Sequence, residues 1–287
     1  MTLSLNNLTF IIVTFKSGHV IHECIESLPK ESSIIIIENS NDLKLKEKLE
    51  TKNSKIKVIV QENKGMGAAN NIGIKLCKTD YAFVINPDVK FYKNTIDELI
   101  TFSSKHNDYA ILAPLSDDIR YPNYKIKNKK LQNNDIEFLS VDSVDGYAML
   151  INKNKFQDNF FFDENFFLYL ENDDLCLRKK KENNKIYISK KAKINHLGGK
   201  SHSPIYGKEI EFSRNWHWMW SKFYFNKKHF GYLRAFLKSV PTLTTSMIKF
   251  FYYFVTLNKF KKKIYMMRFL GLVNSMLGKK SWYRPKI

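Results

Sequence analysis

Over positions 212–287 the chain has no acidic residue at all. Sixteen lysines and arginines stand there unopposed, while all 28 Asp and Glu fall within 1–211 beside the other 31 basic residues. The net charge of +19 therefore resides in the C-terminal quarter, which also holds 20 of the 41 aromatics and all four tryptophans. Cysteine is scarce too. Cys24, Cys77 and Cys176 are an odd number without a short metal-binding spacing, which excludes a disulfide framework or a zinc cluster and suits a reducing cytoplasm. The apolar run from Leu8 to Phe15 has no basic stretch ahead of it and is short for a secretory signal, so export is not expected. Arg234, Lys238 and Lys249 interrupt any apolar span of about twenty residues, which disfavours a transmembrane helix. No internal repeat is present.

What is there fits one large domain with an appended piece: 287 residues with 44% hydrophobic content bury a substantial core. Over the first hundred residues, continuous apolar runs (8–15, 34–38, 57–60, 81–85) alternate with helical patterns reaching to Leu28, in the Lys/Glu-rich forties, and at 65–78 and 92–104. That alternation predicts an α/β domain, Rossmann-like, with a mainly parallel central sheet covered by helices on both faces. Residues 115–135 read as a polar excursion, and 137–151 as strands resuming the sheet. Ligands of such sheets bind beyond the carboxyl ends of the strands, which singles out Thr14, Glu38, Asn39, Asn63 and Asn86 to Asp88.

Three stretches carry candidate chemistry. In YAFVINPDV (81–89), proline stops ladder pairing and the carboxylate of Asp88 emerges at the strand end, where a hard divalent cation could use it; an ordinary Asn-Pro-Asp turn is the plainer reading. KGMGAANNIGI (64–74) brings two glycines to a helix start suited to phosphate, with Lys64 and Asn70 as candidate donor contacts, although its spacing is not that of a P-loop and close packing is the commoner reason for small residues. Glu171, Asp173 and Asp174, beside Phe166, Phe167 and Tyr169, supply carboxylates able to accept a hydroxyl proton, against the plainer reading of solvated acids at a helix N-terminus. His196, in KINHLGGKSH, is a candidate ligand, though a lone histidine is more often structural.

The C-terminal segments 214–240 and 247–273 combine wide apolar faces, aromatics and lysines, a pattern of helices lying in an anionic membrane interface. Helices packed on the main domain are the second reading, and nucleic acid is not expected as a partner.

The series IIVTFKS, IIIIENSND, ENKGMGAANNIGI, YAFVINPDV, VDGYAMLI, FDENFFLYLENDDLCLR and INHLGGKS resembles, in order and spacing over residues 8 to about 202, the family-2 inverting glycosyltransferases of GT-A fold. It looks most like the bacterial branch containing rhamnosyltransferases of lipopolysaccharide O-antigen and cell-wall polysaccharide assembly. The resemblance implies a GT-A domain over 1–211 with a basic, aromatic helical extension over 212–287, peripheral on the inner face of the plasma membrane. It implies a nucleotide-diphosphate sugar as donor (dTDP- or UDP-linked, rhamnose by likeness) and a glycan or polyprenyl-diphosphate-linked glycan hydroxyl as acceptor.

By the same resemblance Thr14, Glu38, Asn39, Lys64, Asn70 and Asn86 cradle the donor, and Asp88 holds Mg²⁺ or Mn²⁺ on its diphosphate with His196 near. The block Glu171, Asp173 and Asp174 supplies the base. Three departures stand out: Asn172 replaces the acid of the family's Glu-Asp-x-Asp block, Glu38 replaces a common aspartate, and Lys16 stands where asparagine is frequent. An amide cannot be a general base, so Glu171 or Asp173 would take that role. A catalytically inactive glycan- or membrane-binding protein of the same fold, or a nucleotidyltransferase, are the rival readings.

Overall fold

The computed structural model describes residues 2–126, 137–198 and 204–287. The chain divides into two compact units, one of Met1–Asp163 with Asn172–Ser203 and one of Glu164–Glu171 with Pro204–Ile287.

In the first unit, β1 (Leu8–Thr14), β2 (Ser33–Glu38), β3 (Ile56–Val60) and β4 (Tyr81–Ile85) pair in parallel in the order β3-β2-β1-β4. All seven residues of β1 and all five of β4 are buried, as strands covered on both faces require. Successive side chains serve opposite faces: Phe10, Ile12, Ile34, Ile36 and Phe83 join one core cluster, while Ile11, Val13, Ile35, Ile37 and Val84 join the other. The connections hold α1 (Ile21–Glu26), α2 (Leu43–Lys52), α3 (Met66–Leu76) and, after the short β5 (Val89–Phe91), α4 (Thr95–Lys105).

The sheet continues from β4 as a mixed one, in the order β10 (Ala148–Asn152), β6 (Tyr109–Ser116), β11 (Lys185–His196) and β5, with β8 (Phe138–Ser140) on β11; β7 (Tyr124–Lys125) and β9 (Ser143–Val144) form a small ribbon. β10 runs antiparallel between β4 and β6, and β11 is parallel to β6. The run-by-run sequence reading does not include β6. Pro114 lies inside it and has no N–H to give, and the β6–β11 register shifts there, between Ser189 and Lys193. The polar excursion expected at 115–135 falls partly on β6 and β7 and partly, at 127–136, outside the described residues. α5 (Glu171–Lys181) carries its acids first and its basic residues last, as the helix dipole favours.

The second unit consists of α6 (Gly207–Phe230), α7 (Tyr232–Val255) and α8 (Lys259–Met276). The change of composition at 212 falls within the second turn of α6. Gly231, at φ 85°, makes the turn between α6 and α7. Gly271 lets α8 touch α6 so closely that a Cβ there would stand 2.2 Å from the carbonyl oxygen of Trp216. Trp216, Trp220, Phe212 and Met267 form the centre of this contact. Phe166, Phe167 and Tyr169 belong here as well: they pack on Tyr224, His217 and Trp218 respectively. Their rings are thus committed to helix packing. Among the described residues no helix is long and apolar enough to cross a membrane.

Candidate functional site

The ends of β1, β2 and β4 place the predicted residues side by side. Thr14 and Glu38 are register partners, and the Asn39 amide donates to the Thr14 carbonyl at 2.8 Å. Among the described residues the buried Thr14 hydroxyl lacks a hydrogen-bond partner, and so does the buried Oδ1 of Asn70 on the first turns of α3. Asn39 accepts from Gln61 Nε2 at 2.8 Å. Glu38 is fully buried and occupied locally: Oε2 accepts from the amides of Ser40 (2.9 Å) and Asp42 (2.8 Å), and Oε1 from the Ser40 hydroxyl. This carboxylate builds the turn that starts α2, which a glutamate one methylene longer than aspartate can reach. Lys16, just past β1, holds φ at 55°, a strained conformation of the kind kept near binding sites. Lys64 is exposed ahead of α3, and Asn63 Oδ1 accepts from the Gly65 amide at 3.0 Å, shaping that loop.

Asn86 to Val89 form a turn closed by the Val89 amide on the Asn86 carbonyl (3.2 Å), with proline at its second position. The turn and the buried carboxylate turn out to be one structure. Asp88 is 3% exposed, and among the described residues neither of its oxygens has a hydrogen-bond partner. His196 Nε2 stands 3.5 Å from its Oδ1. The Cys24 thiol beneath is pushed up, first by burial and then by the Asp88 charge. A buried carboxylate without hydrogen bonds is costly, and a bound cation is one group that would offset that cost. A carboxylate oxygen and an imidazole nitrogen suit Mg²⁺ or Mn²⁺ when phosphate oxygens and water complete the shell. Among the described residues no group of three or more His, Cys, Asp or Glu could hold a metal without such help.

Around His196 lie residues that sequence reasoning missed. Tyr147 stacks on its ring at 3.9 Å, and burial pushes the tyrosine's pKa up to about 12. Asp145 is held above the usual carboxylate range, mainly by burial, with Lys125, Asp173 and His196 acting on its charge. Asp173 accepts from Lys125 Nζ (2.7 and 2.9 Å) and the Ser143 hydroxyl (2.8 Å). Asn172 donates Nδ2 to the Val144 carbonyl at 2.8 Å, and its Cβ is 3.4 Å from where a Cβ on Gly146 would stand. Small size at Gly146 and a donor at 172 therefore go together.

Asp174 is wholly enclosed. Arg178 Nε meets it at 2.9 Å while the same guanidinium bonds the carbonyls of Phe160 and Phe161, an anchoring arrangement that gives a substrate hydroxyl no access. Glu171 is buried at the first position of α5, preceded by Tyr169 and Leu170 at φ 71° and 67°. Two successive non-glycine residues in the left-handed region are a costly way to enter a helix.

Proteins similar to this chain bear on the arrangement. A low-salt glycan biosynthesis hexosyltransferase, Agl10 of Haloferax volcanii, is 25% identical over 207 residues, covering 62% of this chain and 63% of that protein. The chain therefore spans a little under two thirds of that relative's length. Among solved structures, GalNAc-T7 with UDP, GalNAc and Mn²⁺ superposes with a TM-score of 0.55 at 16% identity over 75% of this chain and 52% of that one. S. aureus TarS 1–349 superposes with a TM-score of 0.52 at 16% identity over 97% and 93%. The fold they share with this chain is the GT-A glycosyltransferase fold. The family model of glycosyl transferase family 2 matches residues 9–175, which run from the start of β1 through the acidic turn of α5, and the chain belongs to that family.

Proposed function

We propose that the protein is an inverting, metal-dependent glycosyltransferase that moves a hexose, with rhamnose the sugar suggested by sequence likeness, from a dTDP- or UDP-linked donor to a glycan hydroxyl. The observation that carries this reading is Asp88: a buried carboxylate without hydrogen bonds among the described residues, at a strand end, 3.5 Å from His196. Thr14, Asn39 and Asn70 sit at the same sheet edge with buried polar atoms to offer a nucleoside, and Lys64 is free to reach a phosphate. Asp88 and His196 would hold Mg²⁺ or Mn²⁺, which supplies positive charge to the leaving diphosphate. The acceptor hydroxyl gives its proton to a carboxylate as its oxygen bonds the anomeric carbon from the face opposite the diphosphate. The sugar–phosphate C–O bond breaks and the nucleoside diphosphate leaves with that electron pair.

Asp173 is the acid of the 171–174 block that retains access to solvent, held in place by Lys125 and Ser143, and Asp145 is its electrostatic neighbour. Glu171 is the alternative base. The second unit lends support to a peripheral membrane location, with lipid-linked glycan as acceptor: α7 exposes Leu233 (71%), Ile248 (63%) and Val255 (78%) while residues 212–287 carry no acid.

Thermal shift of the purified protein with dTDP, UDP and GDP, each with and without Mn²⁺, tests the donor reading, because a ligand that binds only the folded state raises the midpoint. A metal-dependent rise for one nucleotide, absent in Asp88→Ala, is the expected result. No rise with any nucleotide would favour a binding protein of this fold without the chemistry.

A further inference from the structure

The helical unit contains a cavity of about 350 Å³ that the donor chemistry leaves unused. Thr242, Thr245, Ser246 and Lys249 line it from α7, and Tyr265 and Arg268 from α8. Two cations share one ring there: Lys249 Nζ lies 5.3 Å from the Tyr265 centroid and the Arg268 guanidinium carbon 5.8 Å. Among the described residues neither has a carboxylate at ion-pairing distance, and Arg268 reaches only the Asn215 amide oxygen, at 3.4 Å. The Nε of Arg268 is buried with no hydrogen-bond partner among the described residues. A charged donor left unmet inside a protein calls for a ligand to explain it.

The Thr245 and Ser246 hydroxyls donate back to the carbonyls of Pro241 and Thr242 at 2.7 and 2.8 Å. Thr242, Lys249 and Arg268 remain as donors, a set of O–H, ammonium and planar guanidinium that matches a phosphate group. On α7 the cavity row 241, 245 and 249 lies beside the exposed Leu237, Ile248, Tyr252 and Val255, so a ligand held in the cavity would have apolar side chains next to it.

We propose that this cavity is a binding site for the phosphate of an anionic lipid headgroup, with the apolar row of α7 lying among the acyl chains. The site rests on the membrane-surface reading and narrows it from a diffuse positive field to one recognised chemical group. Diffuse charge treats all basic residues alike; a cavity does not.

The test uses the full chain and phosphatidylcholine vesicles with and without phosphatidylglycerol, in cosedimentation at fixed salt. Lys249→Gln with Arg268→Gln is compared with Lys261→Gln with Lys262→Gln, an equal charge change outside the cavity lining. The expected loss of affinity for phosphatidylglycerol vesicles is about tenfold greater for the cavity pair, since charge-assisted hydrogen bonds exceed screened attraction. Arg268→Lys, which keeps the charge and loses the fork, should fall between the two, and covers the case in which the double variant fails to fold. In a second arm, inorganic phosphate is titrated into soluble protein and the Arg268 Nε–H resonance is followed by NMR. A phosphate-dependent shift without vesicle preference supports the cavity and identifies free phosphate as its source, while refuting the membrane reading. Equal losses in the two pairs, with no shift of that resonance, overturn the cavity and leave the membrane reading standing.

Discussion

Asp88→Asn is the perturbation that separates a ligand-holding carboxylate from a structural one. The side chain is 3% exposed, and among the described residues both oxygens lack hydrogen bonds and the one charge partner is His196 at 3.5 Å. Burying an ion costs several kcal/mol, and a neutral amide of the same shape costs about 1–3 kcal/mol when unpartnered. After allowance for the attraction lost at His196, the substitution should stabilise the metal-free protein by about 1–3 kcal/mol. For a unit of this size that is a rise in Tm of about 3–10 °C. Calorimetry of both proteins in chelator reads it directly. The same variant should lose the Mn²⁺-dependent rise with nucleotide, so stability and ligand response move in opposite directions. A variant that melts lower than wild type in chelator would show that the carboxylate is satisfied by the fold and would refute the reasoning.

Asp173→Asn should lower turnover at least about 100-fold while leaving the nucleotide-dependent thermal shift intact, the split expected of a base that does not hold the donor. Asn172→Asp removes the donor to the Val144 carbonyl and should cost about 1–2 kcal/mol in urea unfolding; higher turnover alongside that loss would show that the missing acid limits the rate. Gly271→Ala should lower the Tm of the helical unit by about 10 °C or more, because its Cβ would stand 2.2 Å from backbone rather than from a side chain able to move. His217 is buried between the Tyr283 carbonyl and the Ser281 hydroxyl, and burial, with Arg284 adding to it, brings its pKa down to about 3 from 6.5. The unfolded chain binds the extra proton, so stability is lost as pH falls below about 6.5. About 2 kcal/mol should go between pH 7 and pH 5, a slope that urea unfolding of His217→Gln should lack.

The parallel half of the sheet was legible because its strands are buried on both faces and so read as uninterrupted apolar runs, with the ligand edge following from strand direction alone. IIVTF, IIIIE and YAFVI could hardly be anything else between helical patterns. The antiparallel half was harder. β6 contains a proline and joins β11 across an irregular register, and β11 itself carries Lys190, Lys191 and Lys193 through the bulge, so neither strand shows a clean period.

The site divides along the same line. Asp88 was readable because a proline turn after a buried strand fixes where the next carboxylate goes, a local constraint. Lys125 and Asp173 are 48 residues apart, and no pattern within either segment announces the other. Asp145 carries no distinguishing spacing; its character comes from burial and from Lys125, Asp173 and His196 converging on it in space. The aromatic sequence around the acids divides between the two units. Phe166, Phe167 and Tyr169 sit within a few residues of Asp173 along the chain, yet they pack in the helical unit while Asp173 and Asp174 belong to the sheet unit, the division falling between Glu171 and Asn172. A base at position 173 acts in an environment set by Lys125 and Ser143, whereas Glu171 is buried at the start of α5. The two candidates differ in surroundings as much as in position, so the pH dependence of Asp173→Asn and Glu171→Gln turnover, measured side by side, separates them.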